Sequence, residues 1–146
     1  DDPPLSPLRG IGRIMRSVEN FQRLIDLVPS SSNGLTFCQG NFALMTDDQP
    51  AVIRDFGKQG KIFFVHLRDV KGNVEHYEET FHDDGPTDML ECLRAYRDIG
   101  FDGVLRPDHV PPLAGDSNDH PGYSAIARLF AVGYIKGLRE AVYREQ

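Results

Sequence analysis

Three short apolar runs in this chain each end on a residue able to bind a metal or move a proton. "GLTFC" closes on Cys38, "KIFFVHL" carries His66 near its end, and "GVLRPDHV" stops at Pro107 and then presents Asp108 and His109 side by side. A thiolate, an imidazole and a carboxylate are donor groups for divalent metals, and a histidine can act as acid or base near neutral pH. Cys38 to His66 is 28 residues and His66 to Asp108 is 42, intervals that fit one strand–helix unit each, the second with a long loop. Each residue alone has a plainer reading. Free cysteine is among the most buried residue types, a lone histidine is commonly a satisfied interior group, and an aspartate after proline can cap a turn. Their joint placement at successive run ends favours a shared site holding three ligands of a divalent ion, with a fourth still wanting.

The elements that must position them follow from periodicity. After seventeen irregular residues, Val18, Phe21, Leu24, Ile25 and Val28 fall at helical spacing behind Ser17, an N-cap candidate, and the helix stops at Pro29. "GLTFC" predicts a strand, Ala51 to about Gly57 a short helix after Pro50, and "KIFFVHL" a strand apolar enough to be buried on both faces. Residues 69–86 read as a polar loop with room for a short hairpin. Thr87 is the expected cap of a helix burying Met89, Cys92, Leu93 and Tyr96 and closed by Gly100, and "GVLRP" is the third strand. A terminal helix is expected from about Pro121, with Ile126, Leu129, Phe130, Gly133 and Leu138 on one face. Alternating strand and helix predicts an α/β fold with a parallel sheet, whose ligands bind beyond the carboxyl ends of the strands.

Other candidates carry less. Arg68 offers a planar fork to a substrate carboxylate or an ordinary ion pair. His76, His82 and His120 lie in polar stretches, His82 near a strand-end loop, and Tyr123 on its own reads as a packing residue. A net charge of −6 with scattered lysines and arginines excludes the basic stripe of a nucleic-acid binder. No apolar stretch approaches the roughly 20 residues that span a bilayer. Glycine-rich nucleotide loops, a G-x-S-x-G elbow and C-x-x-C are absent from the sequence. Two cysteines in unlike surroundings and no secretory leader point to a reducing cytoplasm.

"SNGLTFCQG", "FVHLRDV", "GFDGVLRPDH" and "SNDHPGY", in this order over essentially the whole chain, resemble the motifs of the metal-dependent D-mannonate dehydratases. The resemblance implies a (β/α)8 TIM barrel related to xylose isomerases, of which residues 1–146 would form a single C-terminal part with three to four βα units. It implies Mn2+ held by Cys38, His66 and Asp108, together with a histidine of an "HPDDPP" segment that would lie two residues before Asp1. By donor softness, cysteine and histidine would instead suggest zinc, and Fe2+ is a further alternative. The resemblance also implies His109 and Tyr123 as the acid–base pair, and Arg68 and His82 as contacts to a small sugar-acid substrate. The segment between Phe81 and Asp88 is shorter than the corresponding loop of many relatives.

The implied reaction converts D-mannonate to 2-keto-3-deoxygluconate. Competing expectations are a sugar isomerase or epimerase on the same barrel, an inert fragment or interaction subunit, and a flavodoxin-like domain, which would need about five strands. Half a barrel with open strand edges is expected to associate with a second copy or with the missing half.

Overall fold

The structure is a computed structural model that describes residues 7–145, so the first six residues of the irregular N-terminal stretch lie outside the described residues. Ser17 caps the first helix as expected, its hydroxyl accepting from the Asn20 amide at 3.3 Å. This helix, α1 (Val18–Leu27), buries only Ile25 fully. Leu24 and Val28 are 42% and 62% exposed, because α1 meets the core along one narrow edge, through Val18, Phe21 and Ile25.

Strand β1 (Leu35–Cys38) follows, and a single turn α2 (Gln39–Phe42) comes next. Helix α3 (Gln49–Lys58) is capped by Asp48, with Pro50 in its first turn, where the missing amide costs nothing. Strand β2 (Ile62–Leu67) is the centre of a three-stranded parallel sheet of order β1-β2-β5, and β5 is Val104–Pro107. One face of the sheet is packed: Phe37, Val65 and Leu67 are at most 1% exposed and meet Phe56 of α3 and Leu93 of α4 (Met89–Asp98) in one core. Phe37 also stacks on Phe42 with ring centroids 4.0 Å apart. The other face, which carries Thr36, Phe64 and His66, is only partly covered, so β2 is not buried on both sides as its apolar sequence predicts.

The stretch after β2 contains the hairpin that the sequence left open, β3 (Asp69–Gly72) paired antiparallel with β4 (Tyr77–Thr80). Thr87 is not the cap of α4. Its amide and hydroxyl both donate to the fully buried Asp69 carboxylate, each at 2.8 Å, and Asp88 caps the helix by accepting from the Glu91 amide. Met89, Cys92, Leu93 and Tyr96 are buried as expected, and Gly100 ends the segment at φ +67.

The terminal helix α5 (Ala125–Arg144) begins later than predicted. Gly122 has φ +83, which no helical residue adopts, and its carbonyl accepts from the Val110 amide, tying the turn to the exit of β5. The free amides of the first turn are met from the preceding loop, Asp116 accepting from Ile126 and Ala127. The buried stripe is Ala127, Ala131, Ile135 and Val142. Ile126, Leu129 and Phe130, expected inside, are 51%, 72% and 40% exposed, since the small alanines take the close contact and the larger side chains turn outward. No helix among the described residues is long and apolar enough to cross a membrane.

Candidate metal and acid–base site

Strand register brings the ligand-type residues together. Cys38 pairs with His66 across β1–β2, and His66 pairs with Arg106 across β2–β5. Paired residues of parallel strands project to one face, so these three stand abreast on the partly covered side of the sheet. Asp108, two residues past Arg106, brings its Oδ2 to 3.6 Å from His66 Nδ1. One ligand atom each from Cys38, His66 and Asp108 lies within 4.8 Å of the other two. Donors around one ion with bonds of about 2.0–2.3 Å sit roughly 3–4.5 Å apart, so the triad fits a divalent cation with little adjustment.

The local electrostatics prepare the donors unequally. Burial pushes the Cys38 thiol up, opposed by the Arg68 guanidinium, whose Nη1 is 3.9 Å from Sγ. Burial pulls His66 down against the attraction of Asp108, which keeps the imidazole in the neutral form that binds metals. Arg106 closes the group, its Nη1 3.4 Å from His66 Nε2 and its Nη2 3.5 Å from Asp108 Oδ1.

Beside the triad, His109 turns off the strand end and its Nε2 stands 2.8 Å from the Tyr123 hydroxyl. Tyr123 is 41% exposed, so it overhangs the surface rather than packing inside. The guanidinium carbons of Arg128 and Arg106 lie 5.5 and 6.0 Å from its ring centroid. On the other side of His109, Nδ1 is 3.1 Å from Glu79 Oε1.

The two residues expected to touch substrate are both buried and bonded within the chain. Arg68 is 4% exposed, and its donors are taken by Glu79, at 2.9 Å from Nε and 2.5 Å from Nη2, and by Asn41 Oδ1 at 2.9 Å. His82 is 2% exposed, and its Nε2 donates to the Leu67 carbonyl at 2.7 Å. Arg68 meets the triad through Cys38 alone, its Nη1 3.9 Å from Sγ. A groove of about 780 Å3 lies behind β5, between α4 and α5, and is lined by Tyr96, Phe101, Leu105 and Ile135, not by the ligand-type residues.

Sequence reasoning passed over Arg106 and Glu79. Arg106 was available from alternation alone, since it precedes Asp108 by two and therefore shares its face. Glu79 had no such signal, because its position depends on the hairpin register that sets it opposite Val70.

Gly122 is part of the same arrangement. A Cβ there would lie 3.1 Å from His109 Cγ, and its φ of +83 disfavours any side chain. Gly122→Ala is therefore expected to destabilise the fold by about 1–2 kcal/mol, read as a lower urea midpoint. An unchanged midpoint would show that the turn relaxes freely.

Comparison with known proteins shows the family. The family model described as D-mannonate dehydratase (UxuA) matches residues 1–146. A mannonate dehydratase of Enterococcus faecalis is 41% identical over 150 residues, covering all of this chain and 41% of the relative. Those of Thermotoga petrophila and Halalkalibacterium halodurans, the latter named mannonate dehydratase 2, are 40% identical over 97% of the chain and cover 40% and 42% of the relatives. The crystal structure of mannonate dehydratase from Streptococcus suis serotype 2 superimposes with a TM-score of 0.91 at 34% identity, over 99% of this chain and 42% of that one. The chain thus spans about two-fifths of the length of the relatives it matches. Over that span it belongs to the D-mannonate dehydratase family.

Proposed function

We propose that this chain carries the metal and acid–base residues of a D-mannonate dehydratase, a hydro-lyase that converts D-mannonate to 2-keto-3-deoxygluconate. The observation that carries the reading is one cluster at the strand ends: the Cys38–His66–Asp108 triad, with His109 and Tyr123 hydrogen-bonded at 2.8 Å beside it. Cys38, His66 and Asp108 would hold the ion, manganese by family resemblance and iron or zinc by donor type. When bound, that ion supplies a positive charge that orients a carboxylate and a hydroxyl and stabilises charge developing beside the carboxylate.

The chain's own residues supply the proton chemistry. The C–H bond at the carbon beside the carboxylate breaks as a base takes its proton, and its electrons form a carbon–carbon double bond. The neighbouring C–O bond breaks, and the departing hydroxyl leaves as water after accepting a proton from an acid. The enol that results settles as the keto acid. His109 and Tyr123 share these two tasks, as an imidazole and a phenol within one hydrogen bond of each other can. The role of holding the substrate carboxylate, expected of Arg68, falls in this reading to Arg106, whose side chain is 36% exposed beside the triad. His82 would act indirectly, by fixing the end of β2 through the Leu67 carbonyl.

The three parallel strands would be part of a (β/α)8 barrel. Support comes from helical crossovers, from edges of β1 and β5 with no partner strand among the described residues, and from the two-fifths share of the relatives' length. Those edges would pair with the remainder of the barrel or with another copy. The enzyme would work in the cytoplasm, where its two buried, unbridged cysteines stay reduced.

The test is keto-acid formation by the full-length protein, stripped of metal and then reloaded with manganese, on D-mannonate and on an aldose of matched configuration. Activity on the acid alone, restored by manganese, is expected. Isomerisation of the aldose at a comparable rate would replace this reading with a sugar isomerase.

A further inference from the structure

A continuous set of polar contacts runs from the metal triad to the phenol. Arg68 Nη1 is 3.9 Å from Cys38 Sγ, and Arg68 grips Glu79 through Nε at 2.9 Å and Nη2 at 2.5 Å. Glu79 Oε1 is 3.1 Å from His109 Nδ1, and His109 Nε2 is 2.8 Å from the Tyr123 hydroxyl. We propose that Glu79 is a positioning residue for the acid–base pair: it accepts the Nδ1 proton of His109 and leaves Nε2 as the bare nitrogen facing Tyr123.

Donors and acceptors decide the tautomer. As the carboxylate of an ion pair with Arg68, Glu79 can only accept. Neutral imidazole carries one proton, so a contact between Glu79 and Nδ1 assigns that proton to Nδ1 and a lone pair to Nε2. The phenol must then be the donor between the two, which sets the direction in which a proton moves along this contact. Arg68 keeps its charge at any working pH and is 4% exposed, so Glu79 is gripped from a rigid, buried anchor. The hairpin explains how the residue arrives. Strands β3 and β4 take no part in the parallel sheet, yet their register places Glu79 opposite Val70, within reach of both Arg68 and His109. A partner that holds the far nitrogen of a working histidine commonly accounts for about 10- to 100-fold in activity.

The tautomer is a property of the fold, whereas its effect on turnover rests on the dehydratase reading, and one experiment separates them. Metal-free full-length protein labelled with 15N at histidine is examined by NMR at alkaline pH, where an imidazole is neutral, with the His109 signals assigned by their loss in His109→Asn. The wild type is expected to carry the proton on Nδ1. Glu79→Ala, which removes the acceptor, is expected to mix the two tautomers, and its kcat on D-mannonate should fall at least tenfold with KM within about threefold. A wild-type proton on Nε2 overturns the proposal without any variant, as does an unchanged tautomer in a folded Glu79→Ala. A kcat and KM both unchanged despite a mixed tautomer would overturn its functional half. Should wild type fail to turn over D-mannonate while the Nδ1 proton is found, the dehydratase reading falls and the assignment of Glu79 stands.

Discussion

Replacing His109 by asparagine in the full-length protein is expected to lower kcat on D-mannonate by roughly 10²- to 10⁴-fold, the range that a positioned acid or base contributes. Asparagine can keep a polar contact towards Glu79, but it cannot take or give a proton at the place now 2.8 Å from the Tyr123 hydroxyl. Because His109 is not one of the three clustered donors, metal affinity should change little. That split gives the test its force: a lost proton group lowers kcat with the metal still bound, whereas a disturbed site lowers both. A variant whose turnover stays within about tenfold of wild type would remove His109 from the chemistry.

The second large effect is on the metal. Cys38→Ala and Asp108→Asn are each expected to weaken manganese binding by more than about 100-fold, because loss of a mere supporting partner already costs 10- to 100-fold. Asp108 is 6% exposed and Cys38 8%, so water cannot replace the lost donor without opening the strand ends. The pH dependence has a definite sign. Burial raises the Cys38 thiol, so the free site holds a proton there that the metal must displace, and apparent affinity rises with pH while that proton is still bound. In Cys38→Ala the rise should flatten. His66, pulled down by burial, is already neutral and adds little to the slope. Equal affinity and slope in wild type and Cys38→Ala, by calorimetric titration of metal-free protein, would exclude the thiolate as a ligand.

The sequence carried the sheet and its strand-end residues because both are local signals repeated in register. Apolar runs marked β1, β2 and β5, and each donor stood at the end of its strand or one residue from it. What it did not carry depends on contacts between distant segments. Thr87 looked like a helix cap because threonine before an apolar stripe usually is one, but buried Asp69, eighteen residues earlier, takes both its donors. The start of α5 was read from Pro121, whereas the Val110–Gly122 hydrogen bond and the Asp116 carboxylate fix it at Ala125. Its apolar face was misjudged because bulk suggested Leu129 and the fold chose Ala127 and Ala131. For Arg68 the sequence left a fork for a substrate carboxylate and an ordinary ion pair equally open, and the hairpin that supplies Glu79 gives the ion pair. Tyr123 is the converse case, a residue whose local pattern says packing and whose partner, His109, is fourteen residues away.

The most direct test of the account is where a metal binds. Crystals of the protein soaked with manganese, with anomalous diffraction recorded either side of the manganese absorption edge, should give one strong peak within bonding distance of Cys38 Sγ, a His66 ring nitrogen and an Asp108 carboxylate oxygen. A peak elsewhere, or none at a manganese concentration that supports turnover, would contradict the assignment of the site.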